Sequence, residues 1–437
     1  MNRPRTARPR SVLAAGVALA VSAPVALTAL TATGAPAAQA APPAPRHIAY
    51  HQWDGAAALR TGSFAGTSAR GGRLRIVRPT AKARIGGKPY AVASWTSRGV
   101  RPGFGFTEAV PSWEATTPRG TFVQVQIRGV DVLGRLSSWD TTGRWASDDR
   151  TFHRTTLGLQ KDDLARVETD TWVANQRRFR AWQVRVSLFR RSGSRATPTV
   201  DTVGAMVSSL PSVRNVATSR PGVARGRELT VPHYSQMPHR GQYPQFGGGG
   251  EAWCSPTATT MVLAYYRALP PQSAYRWVDR RYRQRVVDYS ARMVYDVGYR
   301  GTGNWPFNTA YAARRTGHAF VTRFASLRGV EHFIRAGIPV VTSITFGAGQ
   351  LAGSPIRSTN GHVVVVVGFT KKGNVVVNDP AAKSSSSVRR VYARGQFEDA
   401  WLQRYRSRGS MRGSGGLGYV IYDGRHHLPA RHGATNW

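Results

Sequence analysis

Cys254 is the only cysteine among the 437 residues of the chain, so it cannot form an internal disulfide. It follows four glycines, residues 247–250, and precedes a segment of helical length, SPTATTMVLAYY. A helix that begins there would direct unpaired backbone N–H groups and the positive end of its dipole at the sulfur, which favours the thiolate, the attacking form. Cys254 is therefore predicted to be a nucleophile. The alternatives are a small buried apolar residue and an intermolecular disulfide.

A thiolate nucleophile needs a base, and the base needs a third group that holds its orientation. His362 begins the apolar segment GHVVVVVGF, where an imidazole has little structural purpose. Asp379 ends the next predicted strand, NVVVNDP, and TKKGN would join the two strands in a hairpin. The start of one hairpin strand lies beside the end of the other. His362 and Asp379 are therefore predicted neighbours, against the alternatives of a core histidine and a turn-forming Asp before Pro380.

The oxyanion that forms when a carbonyl is attacked needs hydrogen-bond donors. The backbone N–H of Cys254 is one natural donor, and an upstream side-chain amide would be the other. Gln236 in VPHYSQ is one candidate, and Gln242 and Gln245 are closer in sequence. This chemistry requires no cofactor and no metal, and we expect none. Seven other histidines, all in the second half of the chain, show no regular metal-ligand spacing: His233, His239, His318, His332, His426, His427 and His432.

The elements that must position these side chains begin at Glu228. The segment after Cys254 predicts a helix, and NTAYAARRTG and GVEHFIRAG predict short helices that end at Gly317 and Gly337. The apolar segments that follow, IPVVTSITF, GHVVVVVGF, NVVVNDP and GLGYVIYD, predict a mostly antiparallel sheet. Residues 228–425 are therefore predicted to form an α+β domain, followed by a polar tail at residues 426–437.

The first half of the chain has a different pattern. In TFVQVQIRGV and RAWQVRVSLFRR, apolar and polar residues alternate with a period of two, and long helical periodicity is absent. Residues 46–210 are predicted to form an all-β sandwich of jelly-roll type, and residues 211–227 a linker. SSWDTTGRWASDD is the candidate ligand loop. Most tryptophans of this region are expected in the core, with a sugar-stacking surface as the alternative: Trp53, Trp95, Trp113, Trp139, Trp145, Trp172 and Trp182.

The motifs around the predicted site resemble those of the C39-like cysteine peptidases, a branch of the papain-like fold. LTVPHYSQ, WCSPTATTMVLAYY, GIPVV, GHVVVVVGF and VNDPA occur in the family's order, over roughly residues 228–423. The resemblance implies Cys254 as nucleophile, His362 as base, Asp379 as orienting acid and Gln236 as oxyanion donor. The family usually has Gly after the cysteine. Ser255 stands there in this chain, and a side chain at the cleft floor would narrow the cleft. The whole length also looks like secreted actinobacterial C39-family proteins.

Export and positive charge are features of the whole chain. A basic start precedes an apolar run and a small-x-small site at residues 38–40, so residues 1–40 are predicted to be a signal peptide, with an uncleaved anchor as the alternative. A secreted or cell-wall-associated monomer is expected. The formal net charge is +39, or about +35 without the four signal arginines. Attraction to an anionic wall polymer or glycan is expected rather than specific nucleic-acid binding, because the arginines are scattered.

The sequence thus predicts a secreted cysteine peptidase that hydrolyses peptide or protein substrates through a thioester acyl-enzyme. Amidase action on peptidoglycan cross-bridges and acyl transfer of the transglutaminase type use the same groups and are alternatives. A surface-binding protein with an inactive peptidase domain is the alternative from another class. In the first reading, the sandwich positions the enzyme on a wall or extracellular polymer.

Overall fold

The structure is a computed structural model that describes residues 45–407 and 410–437. The predicted signal peptide, residues 1–40, lies outside the described residues. The described chain is mostly β, with a few short helices. Among its residues, no helix combines the length and the apolar character needed to cross a bilayer.

The first domain consists of thirteen strands and one short helix. In chain order these are β1 (His47–Asp54), α1 (Gly55–Leu59), β2 (Ser63–Ala65), β3 (Thr67–Ser68), β4 (Leu74–Ile76), β5 (Ala81–Ile85), β6 (Lys88–Thr96), β7 (Glu108–Thr116), β8 (Thr121–Asp131), β9 (Asp140–Trp145), β10 (Ala165–Glu168), β11 (Thr171–Ala174), β12 (Phe179–Arg191) and β13 (Thr199–Ser209).

These strands form two antiparallel sheets whose inner faces share one core. One sheet has the order β10-β11-β7-β13-β4-β3 with β1 also on β13, and the other has the order β2-β6-β12-β8-β9 with β5 also on β6. The period-two pattern of TFVQVQIRGV is realised in β8, where Val123, Val125 and Ile127 are buried and Gln124 and Gln126 are half-buried. Alternation therefore predicted the face of this strand that points to the core.

Six of the seven tryptophans named above are buried, as expected: Trp53, Trp95, Trp113, Trp145, Trp172 and Trp182. The exception is Trp139, which lies half-buried in the segment predicted as a ligand loop. The guanidinium groups of Arg128 and Arg185 lie 4.4 and 4.2 Å from the centre of its ring. The Trp139 ring is thus already engaged in cation–π contacts.

The second domain contains five α-helices and eight strands. They are α2 (Cys254–Tyr265), α3 (Val286–Val294), α4 (Trp305–Thr316), β14 (Gly317–Arg323), α5 (Leu327–Arg335), β15 (Val340–Phe346), β16 (Thr359–Phe369), β17 (Val375–Asn378), β18 (Arg389–Tyr392), α6 (Arg394–Leu402), β19 (Tyr405–Ser407), β20 (Ser410–Arg412) and β21 (Leu417–Asp423).

An antiparallel sheet of order β14-β21-β15-β16-β17-β18 forms the centre of this domain. The predicted helix ends are confirmed, because α4 stops at Gly317 and α5 stops just before Gly337, both with positive φ. The helices α3 and α6 were not predicted. Each has nine residues, a length at which tertiary packing rather than local propensity holds a helix together.

The segment predicted as a linker, residues 211–227, packs along the second domain. The Val216 N–H donates to Asp399 Oδ1 at 2.7 Å, and Ala224 is fully buried. The tail, residues 426–437, returns to the first domain, where the Tyr50 N–H donates to the Thr435 carbonyl at 2.7 Å. The indole of the final residue, Trp437, is buried. The described chain is accordingly one compact unit.

Candidate active site

Cys254 is the first residue of α2, and a glycine loop sets the start of that helix. Residues 247–249 have φ values of 84°, 104° and 114°, a region that favours glycine. At Gly250 the reason is steric, because a Cβ atom would lie 2.4 Å from the His239 carbonyl oxygen and 2.5 Å from that of Gln236. The loop thus requires glycine for two separate reasons, and it delivers the partly exposed thiol to the helix N-terminus.

The structure brings His362 and Asp379 together across the predicted hairpin of β16 and β17. His362 Nε2 lies 2.7 Å from Asp379 Oδ1, and both side chains are buried. The Tyr392 hydroxyl donates to Asp379 Oδ2 at 2.7 Å, and the Ala381 N–H donates to Oδ1 at 3.0 Å. The carboxylate is therefore held by three donors, and Nδ1 is the ring nitrogen of His362 left for another partner.

The charges of this pair follow from its surroundings. Burial by itself lowers the pKa of His362, but the charge and hydrogen bond of Asp379, together with the hydrogen bond and charge of Cys254, outweigh burial and raise the pKa to about 10. Burial by itself raises the pKa of Asp379, and His362, Tyr392 and the Ala381 N–H outweigh it and lower the pKa. At neutral pH the pair is an imidazolium and a carboxylate.

Gln236 contacts both the segment before Cys254 and the residue after Asp379. Its N–H donates to the Pro380 carbonyl at 2.9 Å, and its side-chain Nε2 donates to the Glu251 carbonyl at 2.7 Å, three residues before Cys254. Its Oε1 is buried without a hydrogen-bond partner among the described residues. The second N–H of the amide remains for another acceptor.

The two alternative amides lie elsewhere in the same loop region. Gln242 bonds through Oε1 to His239 Nδ1 at 3.1 Å and through Nε2 to the Pro238 carbonyl at 3.0 Å, so both ends of its amide are engaged. Gln245 is exposed.

Ser255 does not narrow the cleft, so that expectation is wrong. Its side chain is fully buried, and its hydroxyl forms a hydrogen bond of 2.9 Å with the Tyr419 hydroxyl on β21. Successive residues of a helix point about 100° apart, so Cys254 faces the cavity while Ser255 faces the sheet.

Cys254 opens into a cavity of about 520 Å³. Residues on both sides of His362, Gly361 and Val363, line it, as does Trp305 at the start of α4. Tyr234 lines a separate cavity. One wall of the Cys254 cavity comes from the first domain, at the β10–β11 turn, residues 168–171.

Both domains of the chain match known protein families. Residues 228–408 match the Peptidase C39 like family, and residues 49–208 match the peptidase C39 N-terminal domain, a family of actinobacterial domains. The second domain is thus similar to the C39-like family over most of its length. The resemblance stated from the motifs is thereby confirmed, and the chain is a cysteine-peptidase-like protein.

A crystal structure from Bacillus anthracis, classed as a presumed C39-like peptidase, is 20% identical, with a TM-score of 0.26; the alignment covers 45% of this chain and 98% of that one. No protein of curated function matches the sequence.

The first domain also holds the loop that lines the cavity of the C39-like domain, residues 299–303. At one end of this loop, Asp296 Oδ1 accepts hydrogen bonds from the Thr156 N–H at 2.9 Å and from the Gly298 N–H at 3.0 Å. At the other end, the Trp305 N–H donates to Asp170 Oδ2 at 3.0 Å. The sandwich therefore takes part in building the cleft.

Sequence reasoning missed two groups at this site. Tyr392 ends β18, and only the pairing of β18 with β17 brings its hydroxyl to Asp379. Asp170 reaches Trp305 across 135 positions of sequence, and no local signal marks such a contact. Among the residues that the structure describes, no cluster of His, Cys, Asp and Glu side chains could hold a metal ion.

Proposed function

We propose that this protein is a cysteine peptidase of papain-like α+β architecture that hydrolyses peptide bonds through Cys254, His362 and Asp379. The observation that carries the proposal is the buried His362–Asp379 pair, 2.7 Å apart, whose imidazolium is poised beside the thiol at the N-terminus of α2. The export features of residues 1–40 support action outside the cell.

The mechanism uses each group in one role. The Cys254 thiolate attacks the carbonyl carbon of the scissile bond, while its own N–H and the free N–H of Gln236 Nε2 stabilise the oxyanion. His362 donates its proton to the leaving amine, and the thioester remains on Cys254. The neutral imidazole then takes a proton from water, which releases the acid and regenerates the thiolate. Asp379, held by Tyr392, keeps the imidazole in one orientation throughout.

The first test measures alkylation of Cys254 by iodoacetamide as a function of pH. A thiolate stabilised by an imidazolium labels rapidly well below the ordinary thiol pKa of about 8.5. We expect His362→Ala to slow labelling at pH 6 at least about tenfold, because it removes the cation beside the sulfur. His153→Ala, an exposed histidine of the first domain, is the matched control and should label like the wild type.

Catalysis is tested in parallel. Wild-type protein should cleave unstructured protein substrates such as casein, and Cys254→Ser and His362→Ala should reduce cleavage by at least about a thousandfold. Labelling that follows an ordinary thiol and is unchanged in His362→Ala, or cleavage that persists in Cys254→Ser, would refute the proposed function.

A further inference from the structure

Arginine dominates the charged lining of the Cys254 cavity. Four arginines line it: Arg300, Arg323, Arg404 and Arg412. The described lining contains two carboxylates, those of Glu168 and Asp170. Whether the cavity is electropositive depends on how these six groups are already paired.

Both carboxylates are engaged by neighbours. Glu168 Oε1 accepts a hydrogen bond from Arg166 Nε at 2.8 Å. Asp170 accepts from the Trp305 N–H at 3.0 Å and from the Thr171 hydroxyl at 3.1 Å, and burial raises its pKa to about 7. Glu168 is thus neutralised by its own pair, and Asp170 carries only part of a charge at neutral pH.

The arginines are compensated far less. Arg323 and Arg404 share the single carboxylate of Glu108, with 2.7 Å between Arg323 Nη2 and Glu108 Oε2. Burial lowers the pKa of Arg323 to about 10, which leaves it charged at neutral pH. Arg323 Nη1 also donates to the Ser414 carbonyl at 2.7 Å and Arg404 Nη1 to the Gly413 carbonyl at 2.9 Å, whereas the Nε atoms of both are buried without hydrogen-bond partners among the described residues. Arg300 is exposed, and neither it nor Arg412 forms an ion pair within the described chain.

We infer that the substrate carries a carboxylate close to the scissile bond, and that the arginines of this cavity bind it. The inference rests on the proposed peptidase function and adds the substrate class. A guanidinium binds a carboxylate through two parallel hydrogen bonds, which neither water nor a neutral amide reproduces. A cavity of about 520 Å³ accommodates a few residues of a peptide, including such a group. The net charge of +39 adds long-range attraction to acidic substrates.

A carboxylate is supplied either by an Asp or Glu side chain or by the C-terminus of a peptide. Three fluorogenic peptides with the same cleavable bond separate these sources. One has an internal Glu beside that bond and an amidated end, the second has Gln and a free C-terminal carboxylate, and the third has Gln and an amidated end. The measured quantity is kcat/KM for each peptide relative to the third.

We expect at least one carboxylate-bearing peptide to exceed the neutral peptide by about tenfold or more, the size of one charge-assisted hydrogen bond. Arg300→Gln should reduce that ratio several-fold, and added salt should reduce it further, since the charge of Arg300 is exposed to solvent. Arg283→Gln removes an exposed guanidinium outside the cavity lining and should leave the ratio unchanged.

The outcomes separate this inference from the proposed function. Cleavage of all three peptides at equal rates, or equal ratios in Arg300→Gln and Arg283→Gln, would overturn the carboxylate inference and leave the peptidase function standing. If no peptide is cleaved, the affinities of the three peptides for the Cys254→Ala protein are measured by fluorescence anisotropy, and these affinities test the carboxylate site without requiring activity. Tighter binding of a carboxylate-bearing peptide would support the carboxylate-binding site even though the peptidase function had failed. Equal binding of all three peptides would refute the carboxylate-binding site too.

Discussion

A single carboxylate controls the charge of the candidate base. Asp379 is buried, yet it accepts hydrogen bonds from His362, Tyr392 and the Ala381 N–H, so its ionised form is the stable one. That charge in turn keeps a buried imidazole protonated, against the effect of burial. The pair therefore links the chemistry of Cys254 to the stability of the fold, since both depend on the same two protonation states.

This linkage predicts a pH-dependent stability difference between wild type and Asp379→Asn. The folded pKa of His362, about 10, is raised above its unfolded value, so its contribution is fully present below about pH 6.5 and is lost as pH rises through 10. The pKa of Asp379 is lowered, so its contribution is lost as pH falls through the acid range. We expect wild type to be more stable by about 3 kcal/mol at pH 6.

Guanidinium chloride titrations between pH 4 and pH 10.5 measure this difference. The gap in unfolding free energy should narrow from pH 6.5 toward pH 10. Asp162→Asn, an exposed aspartate of the first domain, serves as the control and should follow wild type. A gap that stays constant across this range would contradict the raised pKa of His362.

At the scale of elements, the loop and helix before the cavity depend on a close backbone approach. Gly250, the last residue of the glycine loop, lies directly against the carbonyl groups of Gln236 and His239, and α2 begins four residues after it. Gln236 is in turn bonded to Pro380, next to Asp379. The short segment that contains Gln236 therefore connects the start of α2 with the end of β17.

Gly250→Ala should therefore displace the nucleophile. The added methyl group would meet the His239 carbonyl carbon at 2.3 Å, and backbone atoms cannot swing away as a flexible side chain can. Overpacking of this kind costs about 1–3 kcal/mol of stability. A shift of about 1 Å in Cys254 lowers kcat/KM about a hundredfold. Gly424→Ala, where an added Cβ meets nothing within 4 Å, should be neutral in both assays. Full activity of Gly250→Ala would contradict this role of the loop.

On the scale of the whole molecule, the two domains share their hydrophobic cores. Phe307 and Ala310 of α4 lie in the core of the sandwich, where Phe307 packs 6.1 Å from Trp113, centre to centre. At a second contact between the domains, the ring of Tyr50 on β1 stacks on that of Phe320 on β14, with 4.5 Å between the ring centres. Because buried aromatic rings from both domains pack together in this interface, we expect the two domains to fold as one unit.

Phe307→Ala should consequently lower the stability of both domains together. Loss of a fully buried Phe costs about 3–5 kcal/mol. Calorimetry should show one unfolding transition in the wild type and one transition at a lower temperature in the variant. Phe64→Ala removes a partly exposed ring of the first domain and should leave the transition nearly unchanged. Two transitions, of which only one moves in Phe307→Ala, would show that the domains unfold independently.

Local patterns were sufficient to predict much of the site. The pairing of His362 with Asp379 depends on a hairpin with a short connection, residues 370–374, so chain geometry alone makes them neighbours. The helix that begins at Cys254 and the burial of alternate residues in β8 likewise follow from periodicity over a dozen residues or fewer. The catalytic roles of these residues remain predictions.

Contacts between distant segments were decided only by the tertiary structure. Tyr392 reaches Asp379 because β18 pairs with β17, and Asp170 reaches Trp305 because the sandwich packs against α4. The four arginines of the cavity come from three segments, because Arg404 and Arg412 lie on the two sides of one hairpin, and their sequence positions gave no sign that the three segments converge. A single sequence carries periodicity and turn signals over short distances, but which distant surfaces meet depends on the packing of the entire core.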